Sequence, residues 1–597
     1  MTEAFNKLFL LMVFVGGHSM GETIQYETVV EGKKNLRGAR DLSELHSELI
    51  LQETVPHFSQ PVIGGLMGDR ILLTVDGIRF SNAMFRDGPN QYYSWIPQEF
   101  VETATLNPQL GGISSGALGG SVDRRLGVQK SQLLMSYDGG DQGLKQVVKY
   151  KSSHQSFGLL SEKTGNVETT KGEVEHSSYN QMGLFASQRS ERWGKTQLLM
   201  SHSGPIDRTD KFAEGKYYVF KKQQLSFISH DYQYPQRPLR IIPSFQQFRE
   251  VIDQNSPTKN NTDVTNNIFG LQVVGLFDEA LPPQSTLRYG LVNQLEALDY
   301  LTGTIKTDYH YTTGSAWITY DHVYNQDWAL AVRYKYSAMS ATGSGLSRQL
   351  DNQAIGLDFN YHWEPGKNFF FSLDSGYKFP TITNLAEVRN DALSEIANSE
   401  LSQEKAISLQ MGYDYEERLS LIAFHKKLED LIVRKQTDIP DGPGRFKWRY
   451  SMVDHGFISG LQLKYRHQIR SAGFVAFLEY LNGRNDYDYF AKMTPFHGVL
   501  KVTQQFQWLG QDQVQFAWDF APPVPSEMVS LADSQDIRVK NQNKGYDIVS
   551  IGYETLMSRV HQLRFDFQNL FDKEGRVYGS SVDFAGRNLK VTYAYIY

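Results

Sequence analysis

The chain has 597 residues, of which 13% are aromatic (35 Phe, 33 Tyr, 8 Trp) and 21% charged, with a formal net charge of −6. Its apolar groups are therefore abundant but dispersed, as alternating strands disperse them, and the slight acidity gives no basic footprint for nucleic acid. There is no cysteine, which excludes disulfides, thiolate metal sites and cysteine nucleophiles.

The N-terminus carries an address. Met1 to Lys7 precede an apolar run over 8–15, and small residues lead to Ser19-Met20-Gly21. Such a run is too short for a membrane-spanning helix, which needs about 20 residues. It matches a secretory signal, so residues 1–21 are expected to be removed on export. An extended, β-branched stretch follows, Tyr26-Glu27-Thr28-Val29-Val30-Glu31-Gly32, with no partner strand nearby. Residues 41–51 place Leu42, Leu45 and Leu49 at helical spacing, and Val55-Pro56 ends that expected helix.

Glycines at 64, 65 and 68 then mark a tight bend, and Ile71-Leu72-Leu73-Thr74-Val75 reads as a short buried strand stopped by Asp76-Gly77. Residues 84–93 form a turn-rich loop crowded with polar and aromatic side chains. A further strand is expected from Phe100, and the small residues over 111–120 permit close backbone packing. This unit, 41–125, is the size of one small α+β domain.

Beyond Arg125 the pattern changes. Ile355, Leu357, Phe359, Tyr361 and Trp363 alternate with Gly356, Asp358, Asn360 and His362, and after the turn at 364–368 the alternation resumes with Phe369, Phe371 and Leu373. Leu287, Tyr289 and Leu291 repeat the theme, as do Leu461, Leu463 and Tyr465. The final stretch puts Leu589, Val591, Tyr593, Tyr595 and Tyr597 on one face and ends on an aromatic, as a lipid-facing strand does. Unpaired backbone has no place in hydrocarbon, so such strands must close into a barrel. Spread over 22 antiparallel strands, residues 126–597 leave about 21 each, enough for a tilted strand with alternating short turns and longer loops; 16 or 18 strands also fit. Long loops are expected over 204–267, 381–398 and 437–447, where alternation fades.

Taken together these residues resemble the TonB-dependent outer-membrane receptors. Tyr26 to Gly32 is similar to the TonB box; Arg40-Asp41-Leu42 and residues 61–79 resemble the plug, and Ser115-Gly116-Ala117-Leu118-Gly119-Gly120 its closing glycine motif. Tyr377-Lys378-Phe379-Pro380, Asn398 to Lys405, and Asn569-Leu570-Phe571-Asp572-Lys573 resemble motifs of the barrel. Gly64 stands where the plug usually has Arg. The resemblance implies an all-β transmembrane barrel with a small N-terminal α+β plug in the lumen, a periplasmic segment over 22–40, and active import across the bacterial outer membrane. It implies TonB, with its inner-membrane energising complex, as the partner of Glu27, Thr28, Val29 and Val30 through strand addition.

The ligand-contact candidates are Phe85, Arg86, Asn90, Gln91, Tyr92 and Tyr93. A ferric siderophore or another iron chelate is the leading cargo and haem the second, with His57 a candidate haem contact; cobalamin or a carbohydrate stays open. No catalytic constellation, fixed metal site or bound cofactor is expected, and the chain is read as a monomer and not an enzyme. The alternative is a passive porin or surface-binding barrel whose plug is vestigial.

Overall fold

The computed structural model describes residues 50–55, 58–86, 91–107, 117–174, 177–207, 219–234, 238–254, 261–277, 282, 284–325, 327–386, 395–416, 418–440, 446–535, 544–580 and 583–597. Among these, a closed barrel of 22 antiparallel strands runs from Gln132–Asp138 to Asn588–Ile596. The last strand pairs with the first, Val591 opposite Tyr137 and Tyr595 opposite Leu133, so the wall has no open edge. No described helix is long and apolar enough to cross a membrane.

The outer face fixes where the bilayer lies. Ile355, Leu357, Phe359, Tyr361 and Trp363 point outward from Leu346–Glu364, and so do Phe369, Phe371 and Leu373 of the neighbouring strand. From Ile355 to Trp363 is about 26 Å along the strand at ~3.3 Å per residue, and a tilt near 40° leaves about 20 Å of height. That matches a lipid belt. Rings cluster at its lower edge, where Trp328 stacks on Tyr361 and the Lys367 ammonium sits 5.6 Å from the Trp363 ring centre. The barrel is thus an integral β-barrel of the outer-membrane type.

Above the belt the same strands continue with polar outer faces. Leu346–Glu364 carries Ser347, Gln349, Asp351 and Gln353 there, and Leu239–Gln254 passes from Ile241, Pro243 and Phe245 to Gln247 and Arg249. This corrects two expected loops. Most of 204–267 is strand, in Gly194–Asp207, Val219–Gln233, Leu239–Gln254 and Thr262–Phe277, and Leu419–Pro440 and Phe446–Ile469 leave only five residues between them. Alternation fades in these stretches because the outer face above the belt is polar and the buried inward face mixes polar residues such as Lys221, Gln223 and Glu250 with Phe248, Ile252 and Val264, not because the ladder stops. Of the loop expected over 381–398, the described residues hold a single helical turn, Ile382–Leu385, and a two-residue strand, Glu395–Ile396; residues 387–394 lie outside the described residues.

Six strands precede the barrel wall. β1 (Ile50–Val55) and β2 (Phe58–Val62) form a hairpin; β3 (Ile71–Val75), β4 (Ile78–Arg79), β5 (Val101–Asn107) and β6 (Gly120–Leu126) form a separate sheet in the order β4-β3-β6-β5. β3 and β6 run parallel. Ile71 to Val75 are all buried, as the uninterrupted apolar run predicts. Ile50 and Leu51, read from sequence as the end of a helix, are strand; the rest of that stretch lies outside the described residues. Polar contacts of these six strands and their loops reach wall strands on many sides, so the unit fills the lumen.

A charge at the belt meets hydrocarbon, and one above it meets water. Leu291→Arg should therefore lower barrel stability by about 2–4 kcal/mol, whereas Ser347→Arg should change it by less than about 0.5 kcal/mol. Urea unfolding in lipid vesicles reads both.

Candidate functional site

The bend before β3 is built from backbone that only glycine adopts freely: Gly64, Gly65 and Gly68 have φ of 53°, 78° and 70°. It also admits no side chain. A Cβ on Gly65 would come 2.9 Å from the Met493 sulfur, and one on Gly64 3.2 Å from Nζ of Lys426. That lysine comes from the wall and donates to the carbonyls of Gly119 (3.0 Å) and Leu118 (3.4 Å). Lys426 thus brings a wall cation beside the bend at Gly64.

Just beyond the bend, Asp69 and Arg70 lock the lumen unit to the wall. Arg70 donates from Nη2 and Nε to Oε1 of Glu404 at 2.6 and 3.0 Å, and from Nη2 to the Ile432 carbonyl. Lys378 bridges Asp69 (3.0 Å) and Glu404 (3.1 Å), and the Ile432 N–H also donates to Glu404. Glu404 is completely buried, so its charge depends on these partners. Sequence reading noted Lys378 and Glu404 only as parts of motifs.

At the other end of β3, Asp76 and Gly77 turn with φ of 51° and 79°, the left-handed pair of a tight hairpin. Asp123 fastens the turn by accepting from Thr74 Oγ1 and the Gly77 N–H, and Asp76 accepts from the Leu126 N–H at 3.2 Å. Burial pushes the Asp76 carboxyl up to about 6, against the opposing pull of Lys195 at 4.0 Å.

The loop singled out for ligand contact divides in two. Phe85, Tyr92 and Tyr93 are buried: Phe85 stacks on Tyr92 at 3.7 Å beside Phe80, Trp95 and the wall residue Phe248, while Arg124 lies over the Tyr93 ring and donates to the Tyr93 carbonyl. Their rings hold the loop down; they are not exposed tips. The loop base is pinned as Glu296 accepts from the Ala83 N–H and Thr383 donates to the Phe85 carbonyl. Arg86 is partly exposed and Gln91 opens a 3-10 turn, Gln91–Trp95. Asn90, His57, the Gln91 side chain and Glu27, Thr28, Val29 and Val30 lie outside the described residues.

The hairpin β1–β2 reaches the loops at the end of the barrel opposite the C-terminus. Gln52 donates to the carbonyls of Lys492 (2.6 Å) and Tyr578 (2.8 Å), and the Glu53 N–H to Oγ of Ser580 (3.0 Å). Asp533 ties the loops together, accepting from the Lys492 N–H and the Tyr578 hydroxyl.

No protein-family model matches the sequence, and neither does any curated protein. Solved structures do. The chain is similar to the copper transporter OprC (TM-score 0.76, 12% identity, covering 94% of this chain and 98% of that one) and to the siderophore receptor PirA from Acinetobacter baumannii (0.70, 13%, 94% and 96%). It is also similar to the Serratia marcescens hemophore receptor HasR, solved with its hemophore and heme (0.72, 12%, 94% and 97%). At these identities the likeness is one of fold. The barrel fold implied by the resemblance to TonB-dependent receptors is the fold this chain adopts.

Two outcomes follow. Arg70→Ala strips Glu404 of its bidentate partner and should weaken seating of the lumen unit by about 3 kcal/mol, read as a lower urea concentration for the onset of KCl conductance in planar bilayers. For Asp76, the raised folded value means its stabilising contribution is complete below the ordinary carboxylate range and lost as pH rises through about 6. Asp76→Asn should therefore flatten the stability profile between about pH 4 and 6, followed by thermal unfolding across that window.

Proposed function

We propose that this protein imports a scarce ligand across the bacterial outer membrane, driven through TonB. The observation that carries the reading is the filled lumen. A barrel of 22 strands would be a wide pore, yet its interior is occupied by a sheet anchored through buried charges at Glu404, Asp69 and Lys378. Passage requires part of this filling to move aside, and the outer membrane holds no ATP to move it. A mechanical link to the inner membrane supplies the work, with Glu27, Thr28, Val29 and Val30 adding a strand to the partner.

The cargo we favour is an iron chelate, with haem second. The fold is shared with a siderophore receptor, a hemophore receptor and a copper transporter, which supports a metal-bearing ligand as the class. Arg86, Asn90 and Gln91 are the proposed contacts, on a loop held in place by Phe85, Tyr92 and Tyr93; His57, between β1 and β2, is the proposed contact for haem. A passive porin needs neither an anchored lumen unit nor a segment for strand addition.

The test is growth on a panel of ferric siderophores and haem under iron limitation. Val29→Pro removes an N–H donor from the added strand and should abolish growth on the ligand that wild type uses, while leaving the amount of barrel in the outer membrane unchanged. Undiminished growth of the variant would remove the TonB-driven reading.

A further inference from the structure

The lumen is not filled evenly. On the wall strands from Gly143–Lys151 around to Phe446–Ile469, many inward side chains at the level of the inner sheet are buried, among them Val147, Phe185, Leu199, Phe227, Phe248 and Ile268, with charged ends such as Lys145 and Lys195 partly exposed. Three consecutive strands differ: Gln511–Ala521, Tyr546–Met557 and His561–Gln568. Their inward positions Gln513, Gln515, Ser550, Glu554, Arg564 and Asp566 are all partly exposed. The contrast is clear in the ion pairs, since Arg564 and Glu554 are 33% and 35% exposed whereas Lys221 and Glu250 on the opposite wall are 7% and 3%. Solvent therefore reaches this sector between the wall and the inner sheet.

The sector closes at its outer end. There Ala521 and Tyr546 are buried against Ile50, Val62, Met67 and Val577, and Gln52 makes its two hydrogen bonds to the loop carbonyls. The fit is tight, because a Cβ on Gly579 would come 2.6 Å from Cβ of Lys492 and 2.8 Å from Nε2 of Gln52. The closing piece is the β1–β2 hairpin, which shares no ladder with the β4-β3-β6-β5 sheet. It is also the first described element of the chain.

Resting on the import reading above, we propose that the ligand passes along the sector lined by Gln511–Ala521, Tyr546–Met557 and His561–Gln568, and that the β1–β2 hairpin is its outer gate. Withdrawing the hairpin opens the route while the four-stranded sheet and the Arg70–Glu404 lock stay in place. The lining carries both signs, with Arg564 paired to Asp566 at 2.8 Å and facing Glu554, together with amides and hydroxyls. Such a surface suits a compact, hydrated polar complex of either charge and offers an apolar ligand little.

The absence of native cysteine makes the route directly readable. Single substitutions Gln515→Cys and Ser550→Cys, with Ser201→Cys and Gln246→Cys as buried lumen controls, are treated with fluorescein maleimide in the purified full chain. The first two should label at least tenfold faster; equal rates at all four positions overturn the solvated sector. For the gate, Glu53→Cys and Ser580→Cys are added to Gln515→Cys, and intact cells are labelled from outside. Oxidising the pair should reduce labelling of position 515 at least tenfold and reduction should restore it, whereas labelling indifferent to the cross-link overturns the gate. If labelling responds to the cross-link but not to collapse of the proton gradient, the route and gate stand and TonB-driven import falls.

Discussion

Backbone hydrogen bonding inside a bilayer is the constraint from which the rest of this architecture follows. Hydrocarbon cannot satisfy an exposed N–H or carbonyl, so the wall must close, and Asn588–Ile596 closes it on Gln132–Asp138. Closure at 22 strands fixes the outer faces as apolar along the belt and leaves an interior too wide for the wall's own side chains to fill. The inner sheet fills it, and the polar parts of the interior wall hold that sheet through hydrogen bonds and ion pairs. Glu404, Lys378, Glu296 and Lys426 are the result.

These contacts differ from a hydrophobic seal in how they respond to force. A buried carboxylate with two cationic partners is strongly held while all partners are present and costly once one is gone. The lock at Arg70 is therefore suited to resisting small displacements, while the hairpin β1–β2 is attached through hydrogen bonds made by Gln52, Glu53, Ser59 and Gln60 and through a small apolar patch.

Much of this was legible in the sequence where one face of a strand meets lipid. The run from Ile355 to Trp363 and the closing aromatics identified the wall, and Asp76-Gly77 identified the turn after β3. Strands between 204 and 267 were not legible, because above the belt the outer face is polar and the buried inward face carries Lys221, Gln223 and Glu250 among its apolar residues, so the two-residue period carries little hydropathy signal. The lock was hidden for a different reason: Arg70 and Glu404 are 334 residues apart, and nothing local marks either as the other's partner. The aromatic loop misled in the opposite direction, since Phe85, Tyr92 and Tyr93 have the composition of a binding surface but serve as packing.

That packing crosses from one unit to the other. Phe80, Phe85 and Trp95 gather around Phe248, and Phe100 lies beside Phe185, both partners being wall residues. The inner sheet thus borrows part of its hydrophobic core from the barrel that surrounds it. Outside the barrel it would expose those rings and lose the cations that neutralise its acids, so it has no complete fold of its own. Assembly must then bring wall and filling together in one cooperative event, with each serving as the template on which the other becomes ordered.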